Sequence, residues 1–192
     1  MCIRDSYEPT AKRAISPLLI RRLVNLDLEK KPALRFSRDM FLLSFYLRGI
    51  PFVDLVHLRK TDVKHNTIYY YRHKTRQQLS VHIESYAAQI INRYKNEAAS
   101  SPYLLLILSL TGEDGYRQYK SALRLYNQHL HTLSKMLRLS IPLTSYVARH
   151  SWATTAKDEG VAISVISESL GHTSEKVTHV YLASFDNNAM SK

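Results

Sequence analysis

Residues 168–185 read ESLGHTSEKVTHVYLASF, and this stretch decides how the rest of the chain is interpreted. Gly171 is expected to end a helix, because glycine adopts at little cost the left-handed conformation that closes helices. The hydroxyl residues after His172 can then cap a further helix, which carries Tyr181. Taken singly, His172 is a turn residue and Tyr181 a core aromatic residue with a satisfied hydroxyl group. A catalytic role for either residue depends on what the rest of the chain supplies.

The segment SYVARHSWATTAKDEG, residues 145–160, predicts the helix before this turn. Thr144 is expected to cap the helix and Gly160 to end it. Arg149 lies one turn after Tyr146, and residues three apart share a helix face. Because an unpaired charge on a partly apolar helix is costly, Arg149 must find an anion, either a carboxylate in a structural salt bridge or a bound ligand.

A β-hairpin is predicted upstream at TIYYYRHKTRQQLSVHI, residues 67–83, where β-branched and aromatic residues flank a polar segment. Lys74 lies at its tip, next to Arg72, His73 and Arg76. The tip is either a solvated basic turn or a mobile turn that delivers an ammonium group to a phosphate or to a leaving oxygen.

The remaining segments have helical periodicity. Ser16 is expected to cap a first helix that Pro17 opens, a longer apolar helix stops near Gly49, and Pro51 opens a short one. Two more helices, the second of them long, separate the hairpin from the helix that carries Arg149. The prediction is a mostly α domain with a small β-hairpin or sheet, of the α+β class, around a single core.

Charge and composition restrict the function. The chain has 27 Lys and Arg against 16 Asp and Glu, a net charge of +11, which indicates either a polyanionic partner or an unspecific basic surface. The longest apolar run, residues 103–110, is far shorter than the roughly 20 residues that cross a bilayer, so no membrane partner is expected. Cys2 is the only cysteine, which excludes an internal disulfide and a cysteine-based zinc site and fits a reducing cytoplasm.

Taken together, ARHSWAT at 148–154, ESLGHTS at 168–174 and Tyr181, nine residues after His172, resemble the tyrosine recombinase (phage integrase) family. In that family an Arg-His box, a Leu-Gly-His box and the nucleophilic tyrosine follow one another in this order. The resemblance extends from about Lys12, since an Arg-bearing segment and the Lys-bearing hairpin also occur in the family's order. It implies the catalytic fold of these DNA breaking-rejoining enzymes.

The resemblance implies a mechanism that needs no metal and no nucleotide cofactor. Tyr181 would attack a DNA phosphate, form a 3′-phosphotyrosyl bond and free a 5′-hydroxyl group. Arg149 would donate two hydrogen bonds to the non-bridging oxygens, and His172 would donate a third. Lys74 would protonate the departing 5′-oxygen as the general acid.

The chain departs from the family pattern ahead of Arg149. The family usually has a histidine three residues before this arginine, and Tyr146 occupies that position here. The ordinary pKa of tyrosine, about 10, makes it a poor proton shuttle near neutral pH. Tyr146 is therefore expected to donate a hydrogen bond, or His150 to share the task.

A second departure concerns the first arginine of the family. An ungapped alignment of FVDLVHLRKTDV, residues 52–63, puts Pro51 at the usual arginine position and leaves Arg48 three residues upstream. We expect the RGIP turn to bring Arg48 back to the phosphate. The alternatives are that Arg59 or Arg76 fills the gap, or that catalysis is weak.

The resemblance also predicts the organisation and partners of the chain. MCIRDS, residues 1–6, resembles the translated end of a sequencing adapter, 7–15 would be linker from a missing N-terminal core-binding domain, and 16–192 the catalytic domain. The implied partners are a double-stranded DNA recombination site and a homotetramer on synapsed DNA, and an accessory DNA-bending protein is left open. The last residues, ASFDNNAMSK, resemble the tail that packs on a neighbouring subunit. An integrase of a mobile element, acting in integration or excision, is the predicted function.

Three rival functions stay open beside this one. A non-catalytic DNA-binding protein of the same fold would explain the departures at Pro51 and Tyr146. A type IB topoisomerase would share the chemistry but relax DNA without synapsis. A metal-dependent nuclease is disfavoured, because the sequence lacks a clustered set of carboxylates.

Overall fold

The computed structural model of the protein describes residues 14–183. The predicted adapter segment, most of the predicted linker and nearly all of the predicted C-terminal tail lie outside the described residues. The described chain consists of helices and three short strands: α1 (Pro17–Val24), α2 (Pro32–Tyr46), α3 (Phe52–His57), β1 (Val63–Lys64), β2 (Thr67–Tyr71), β3 (Gln78–His82), α4 (Ser85–Arg93), α5 (Gly112–Met136), α6 (Val147–Asp158), α7 (Ile163–Leu170) and α8 (Glu175–Ala183). The predicted mostly helical class with a small sheet is confirmed.

Most of the predicted helix boundaries are confirmed, and their local causes are visible. The Ser16 hydroxyl accepts a hydrogen bond from the backbone N–H of Leu19 at 3.4 Å, and Pro17 opens α1. Pro51 is the N-cap of α3. Gly160 and Gly171 follow α6 and α7 in the left-handed conformation, with φ of +81° and +61°.

The predicted cap of α6 by Thr144 is wrong. The helix begins at Val147, whose N–H donates to the backbone carbonyl of Thr144 rather than to its side chain, and Tyr146 is the N-cap residue. The cause is tertiary: the N–H of Ser145 donates to the Asn127 side chain on α5 at 2.9 Å. This contact holds the preceding segment outside the helix.

The sheet has the order β1-β2-β3 and is antiparallel throughout. The predicted hairpin of β2 and β3 is confirmed, with Ile68 opposite Val81 and Tyr70 opposite Leu79 on its buried face. The strand β1 was not predicted, because two residues are too short to show an alternating pattern.

The core is divided, which corrects the prediction of a single core. The main cluster surrounds α2, which packs against α1, α4, α5 and α6. A small second cluster joins α6, α7 and α8, and its buried members are Ala153, Ala156, Ile166, Leu170 and Leu182. None of the helices among the described residues is long and apolar enough to cross a membrane.

Candidate active site

Arg149 is buried on α6, with 3% of its surface exposed, and it holds three backbone segments together. Its Nη1 donates to the carbonyl of Gly49 at 2.9 Å, and its Nη2 donates to the carbonyl of Leu170 at 2.5 Å. The same Nη2 also donates to Nε2 of His172 at 3.3 Å. The structure therefore brings together the predicted arginine and histidine, which are 23 residues apart in the sequence.

The turn after α2 approaches α6 so closely that only glycine fits at its centre. A Cβ atom on Gly49 would lie 2.8 Å from the Cα atom of Arg149, below the distance that real Cβ atoms adopt. Arg48 and Gly49 both have positive φ, of 56° and 71°, and the exposed Arg48 precedes the carbonyl that Arg149 binds. The expectation that this turn brings Arg48 back beside the site fits this geometry and stays a prediction for its side chain.

His172 is a neutral side chain in this arrangement, and its tautomer follows from its partners. An arginine can only donate, so Nε2 of His172 accepts from Arg149. The ring proton then lies on Nδ1, which donates to the hydroxyl of Thr178 on α8 at 2.7 Å. Partial burial, and to a smaller extent the charges of Arg149, Arg72 and Lys74, together lower the pKa of His172 to about 4.

The β2–β3 turn is docked onto the turn that carries His172. The Nη1 atom of Arg72 and the hydroxyl of Thr75 both donate to the carbonyl of Gly171, at 2.5 and 3.3 Å. Lys74 lies between them in sequence and is exposed, and its charge contributes to the low pKa of His172. The structure thus places the predicted lysine beside the predicted histidine, on an anchored turn.

Two charged residues of this region were missed by the sequence prediction. Asp54 is buried on α3 and accepts from the N–H of His73 at 2.8 Å, and its burial raises the pKa of the carboxyl group. Arg72 is buried as well, with 8% of its surface exposed. A signal for Arg72 was present, because Ile68, Tyr70 and Arg72 alternate along the hairpin toward the same buried face.

The two departures from the family pattern meet at one cavity. Pro51 and Tyr146 line a space of about 90 Å³, and Arg149 contributes to its wall. The Tyr146 side chain is 57% exposed, while His150 is buried with its ring centroid 6.4 Å from that of Tyr146. Pro51 and Tyr146, the predicted positions of the family's arginine and histidine, are therefore neighbours in space.

Arg59 and Arg76 are not brought to this cavity. Both are exposed, and they line a different cleft of about 520 Å³ together with Lys64 and the outer sheet residues. Arg149 is not among the described residues that line this cleft. Among the candidates for the displaced arginine, Arg48 lies on a segment that contacts Arg149.

The predicted nucleophile, Tyr181, lies on α8, three residues after Thr178. Thr178 is fully buried and binds His172, so α8 is tied to the turn that carries this histidine. Within residues 14–183 there is no group of three or more His, Cys, Asp and Glu side chains that could hold a metal ion.

Comparison with known proteins identifies the family of the chain. The model of the phage integrase family matches residues 21–188. Tyrosine recombinase XerA of Thermococcus kodakarensis is 28% identical over 176 residues, which cover 90% of this chain and 60% of that protein. The chain therefore spans about three fifths of the length of this curated relative.

Solved structures share the fold. The crystal structure of XerA recombinase matches with a TM-score of 0.63 and 18% identity, over 93% of this chain and 66% of that one. The Tn1549 transposon integrase in complex with transposon right end DNA matches with a TM-score of 0.64 and 15% identity, over 93% and 63%. The fold is thus that of a tyrosine recombinase catalytic domain. Because the family match covers most of its length, the chain belongs to the phage integrase family.

Proposed function

We propose that this chain is the catalytic part of a site-specific DNA recombinase that cleaves and rejoins DNA through a covalent 3′-phosphotyrosyl intermediate. The contact between Arg149 and His172, with the Lys74 turn docked on the same loop, carries the proposal. A phosphate group needs hydrogen-bond donors and positive charge from several directions, and these elements supply both.

Tyr181 is the proposed nucleophile. Its hydroxyl group releases its proton to water as the oxygen forms a bond to the scissile phosphorus, and the bond from phosphorus to the 5′-oxygen breaks. Lys74 gives a proton to that oxygen, which leaves as a 5′-hydroxyl group. Since one phosphodiester replaces another, the DNA can be rejoined by the reverse reaction without a nucleotide cofactor.

Arg149 and His172 are proposed to bind the non-bridging oxygens. In the free protein, Arg149 donates to Nε2 of His172, so this nitrogen carries no proton. A phosphate between the two side chains brings negative charge, which raises the pKa of His172 above its free value of about 4. His172 can then donate from Nε2 while Nδ1 keeps its hydrogen bond to Thr178.

Where the chain differs from the family pattern, the roles of its residues are proposed from their positions. The Tyr146 hydroxyl donates a hydrogen bond at the position of the family's histidine, with His150 beside it as support. Arg48 supplies the second guanidinium group from the turn that contacts Arg149. Pro51 leaves a cavity where the family's arginine would lie.

The proposed partner is a double-stranded DNA recombination site, on which the enzyme assembles as a homotetramer. A net charge of +11 favours binding to a polyanion. The Tn1549 transposon integrase, a structural relative, is described in complex with transposon end DNA. A role in integration or excision of a mobile element follows by analogy, with an accessory DNA-bending protein left open.

Capture of the covalent intermediate tests the proposal. The wild-type protein is incubated with a labelled library of nicked duplexes of randomised sequence, in which the cleaved fragment diffuses away, and adducts are read on a denaturing gel. We expect an adduct with the wild type and none with Tyr181→Phe. Tyr86→Phe, at an exposed tyrosine on α4, is the matched control and should form the adduct. An adduct that persists in Tyr181→Phe would refute the nucleophile.

The same assay tests Arg48. Arg48→Ala should form the adduct at least about 100-fold more slowly, the loss typical of one donor that stabilises charge in the transition state. Arg138→Ala is the matched control, because Arg138 is also exposed and has a φ of 52°. Equal rates in the two variants would contradict the role of Arg48.

The cavity at Pro51 and Tyr146 favours a second candidate, a DNA-binding protein of this fold without catalysis. Such a protein would bind the library in a mobility-shift assay but form no adduct. A topoisomerase of type IB would form the adduct and relax supercoiled DNA, but it would not exchange strands between two duplexes. A strand-exchange assay with the enriched sequence separates these activities.

A further inference from the structure

Arg72 is a buried cation at the base of the β2–β3 turn. It follows the last residue of β2, and only 8% of its surface is exposed, whereas the flanking residues Tyr71 and His73 are exposed. Its Nη1 donates to the carbonyl of Gly171 at 2.5 Å. This contact joins positions 99 residues apart and links the hairpin directly to the turn that carries His172.

Gly171 has no side chain, and this leaves room for the side chain of Arg72. A Cβ atom on Gly171 would lie 3.0 Å from Cδ of Arg72 and 3.0 Å from a methyl group of Leu79. The absence of a side chain therefore lets the stem of Arg72 lie directly on the turn. The Thr75 hydroxyl donates to the same carbonyl at 3.3 Å, so the Lys74 turn is held from both sides.

The buried charge of Arg72 attracts the buried carboxyl group of Asp54, but both groups stay incompletely hydrogen-bonded. The Nε atom of Arg72 is buried and makes no hydrogen bond to the described residues. The Oδ2 atom of Asp54 is also buried and accepts no hydrogen bond from them. Leaving buried charged groups incompletely bonded costs free energy of folding, and a neutral side chain could fill the same space more cheaply. The positive charge acts on the site itself, because Arg72 is one of the cations that lower the pKa of His172.

We propose that Arg72 is a positioning residue that fixes the turn bearing Lys74 against the turn bearing His172, so that both side chains reach the same phosphate. The proposal rests on the proposed function, because it assigns Lys74 to the leaving oxygen. Arg72 does not touch the reacting atoms in this scheme. It acts through the carbonyl of Gly171 and through its charge.

The first test separates leaving-group protonation from all other effects. The sequence enriched in the wild-type adduct is prepared with either oxygen or sulfur at the 5′-bridging position. A thiol leaving group has an ordinary pKa of about 8.5 and needs no general acid. We expect Arg72→Gln to cleave the oxygen substrate about 100-fold more slowly, within the range for loss of general acid catalysis, and the sulfur substrate at nearly the wild-type rate.

Arg38→Gln is the matched control. Arg38 is also 8% exposed, and it also donates to backbone carbonyls, but at the junction of α1 and α2. It should lower the stability without changing the ratio of rates on the two substrates. An equal loss on both substrates in Arg72→Gln, or no loss on either, would overturn the positioning role.

A second test needs no catalysis. In Arg72→Gln, NMR of the free protein should show backbone order parameters of residues 73–75 below about 0.6, the range of flexible backbone. The titration midpoint of His172 should rise from about 4, since one neighbouring cation is gone. A rigid turn with an unchanged His172 midpoint would overturn the proposal, even if the wild-type protein forms no covalent adduct.

Arg72→Lys covers the case in which the glutamine variant does not fold. Lysine keeps the charge but replaces the planar fork with a single flexible donor. The His172 midpoint should therefore stay low, while residues 73–75 gain mobility and the oxygen substrate is cleaved more slowly. Wild-type behaviour in both measurements would contradict the proposal. Failure of the wild type to form any adduct would instead refute the proposed function and leave the NMR result to decide on Arg72.

Discussion

At Gly49 the turn after α2 lies so close to the backbone of α6 that no side chain fits between them. Gly49→Ala places a methyl group 2.8 Å from Cα of Arg149 at a φ of +71°. The left-handed conformation alone costs about 1–2 kcal/mol with a Cβ atom, and the clash adds about 1–3 kcal/mol. We expect urea unfolding to show both losses, and adduct formation to fall because Arg149 is displaced.

Gly160→Ala measures the free-energy cost of the left-handed conformation without a clash. Gly160 has a φ of +81° and no heavy atom within 4 Å of the added Cβ position. Its unfolding free energy should fall by only about 1–2 kcal/mol, with adduct formation unchanged. If the two alanine variants were equally stable and equally active, the close approach of Gly49 to Arg149 would have no consequence.

At the scale of single residues, some members of the site could be predicted from the sequence and others could not. Arg149, His172 and Lys74 were predicted from ordered motifs, and the structure places them around one loop. Arg72 and Asp54 were missed, because a charged residue on a short amphipathic segment is expected on the surface. Their burial depends on tertiary contacts: Arg72 packs against the turn at Gly171, 99 residues away, and Asp54 binds the hairpin turn at His73, 19 residues away.

At the scale of elements, local chemistry predicted most boundaries and failed where tertiary contacts intervene. Ser16, Pro51 and Gly171 act through their own backbone and side-chain preferences, so their helix ends were predicted correctly. Thr144 has the same preference for a cap, but Asn127 on α5 binds the following residue and delays the start of α6. Such long-range contacts leave no periodic signal in the sequence.

The junction of α1, α2 and α4 depends on one buried carboxylate. Asp39 is 1% exposed and accepts from Arg38 at 2.9 Å, Arg93 at 2.6 Å and Tyr94 at 2.7 Å. Asp39→Asn removes the counter-charge of the buried Arg38, and removing one partner of a buried pair costs about 3–5 kcal/mol. We expect the free energy of unfolding in urea to fall by that amount.

The exposed pair of Asp114 and Arg117 on α5 provides the comparison. Its atoms are 3.9 Å apart, and both side chains are more than two thirds exposed. Asp114→Asn should change the unfolding free energy by less than about 0.5 kcal/mol, because solvent screens such pairs. A loss below about 1 kcal/mol in Asp39→Asn would show that water replaces its partners, contrary to the burial of this junction.

At the scale of the whole molecule, the division of the core affects the free energy at which its parts open. The main cluster includes side chains from α1 to α6, whereas the described side chains of α7 and α8 belong to the small cluster and to the polar contacts of Arg149, Arg72 and His172. Segments with little apolar burial open at a lower free energy than the global unfolding of the chain. We therefore expect the helix that carries the proposed nucleophile to belong to the less stable part.

Hydrogen exchange of matched leucine variants tests this division. Leu182→Ala removes a buried side chain from the small cluster, and Leu130→Ala removes one from the main cluster. Each truncation costs about 2–5 kcal/mol where the side chain is packed. Leu130→Ala should lower the protection of amides in α2 and leave α7 and α8 nearly unchanged, because the small cluster opens without exposing Leu130. Leu182→Ala should lower protection in α7, α8 and α2 alike, since the local opening and global unfolding both expose Leu182. If Leu130→Ala reduced the protection of α8 as strongly as that of α2, the two clusters would form one cooperative unit.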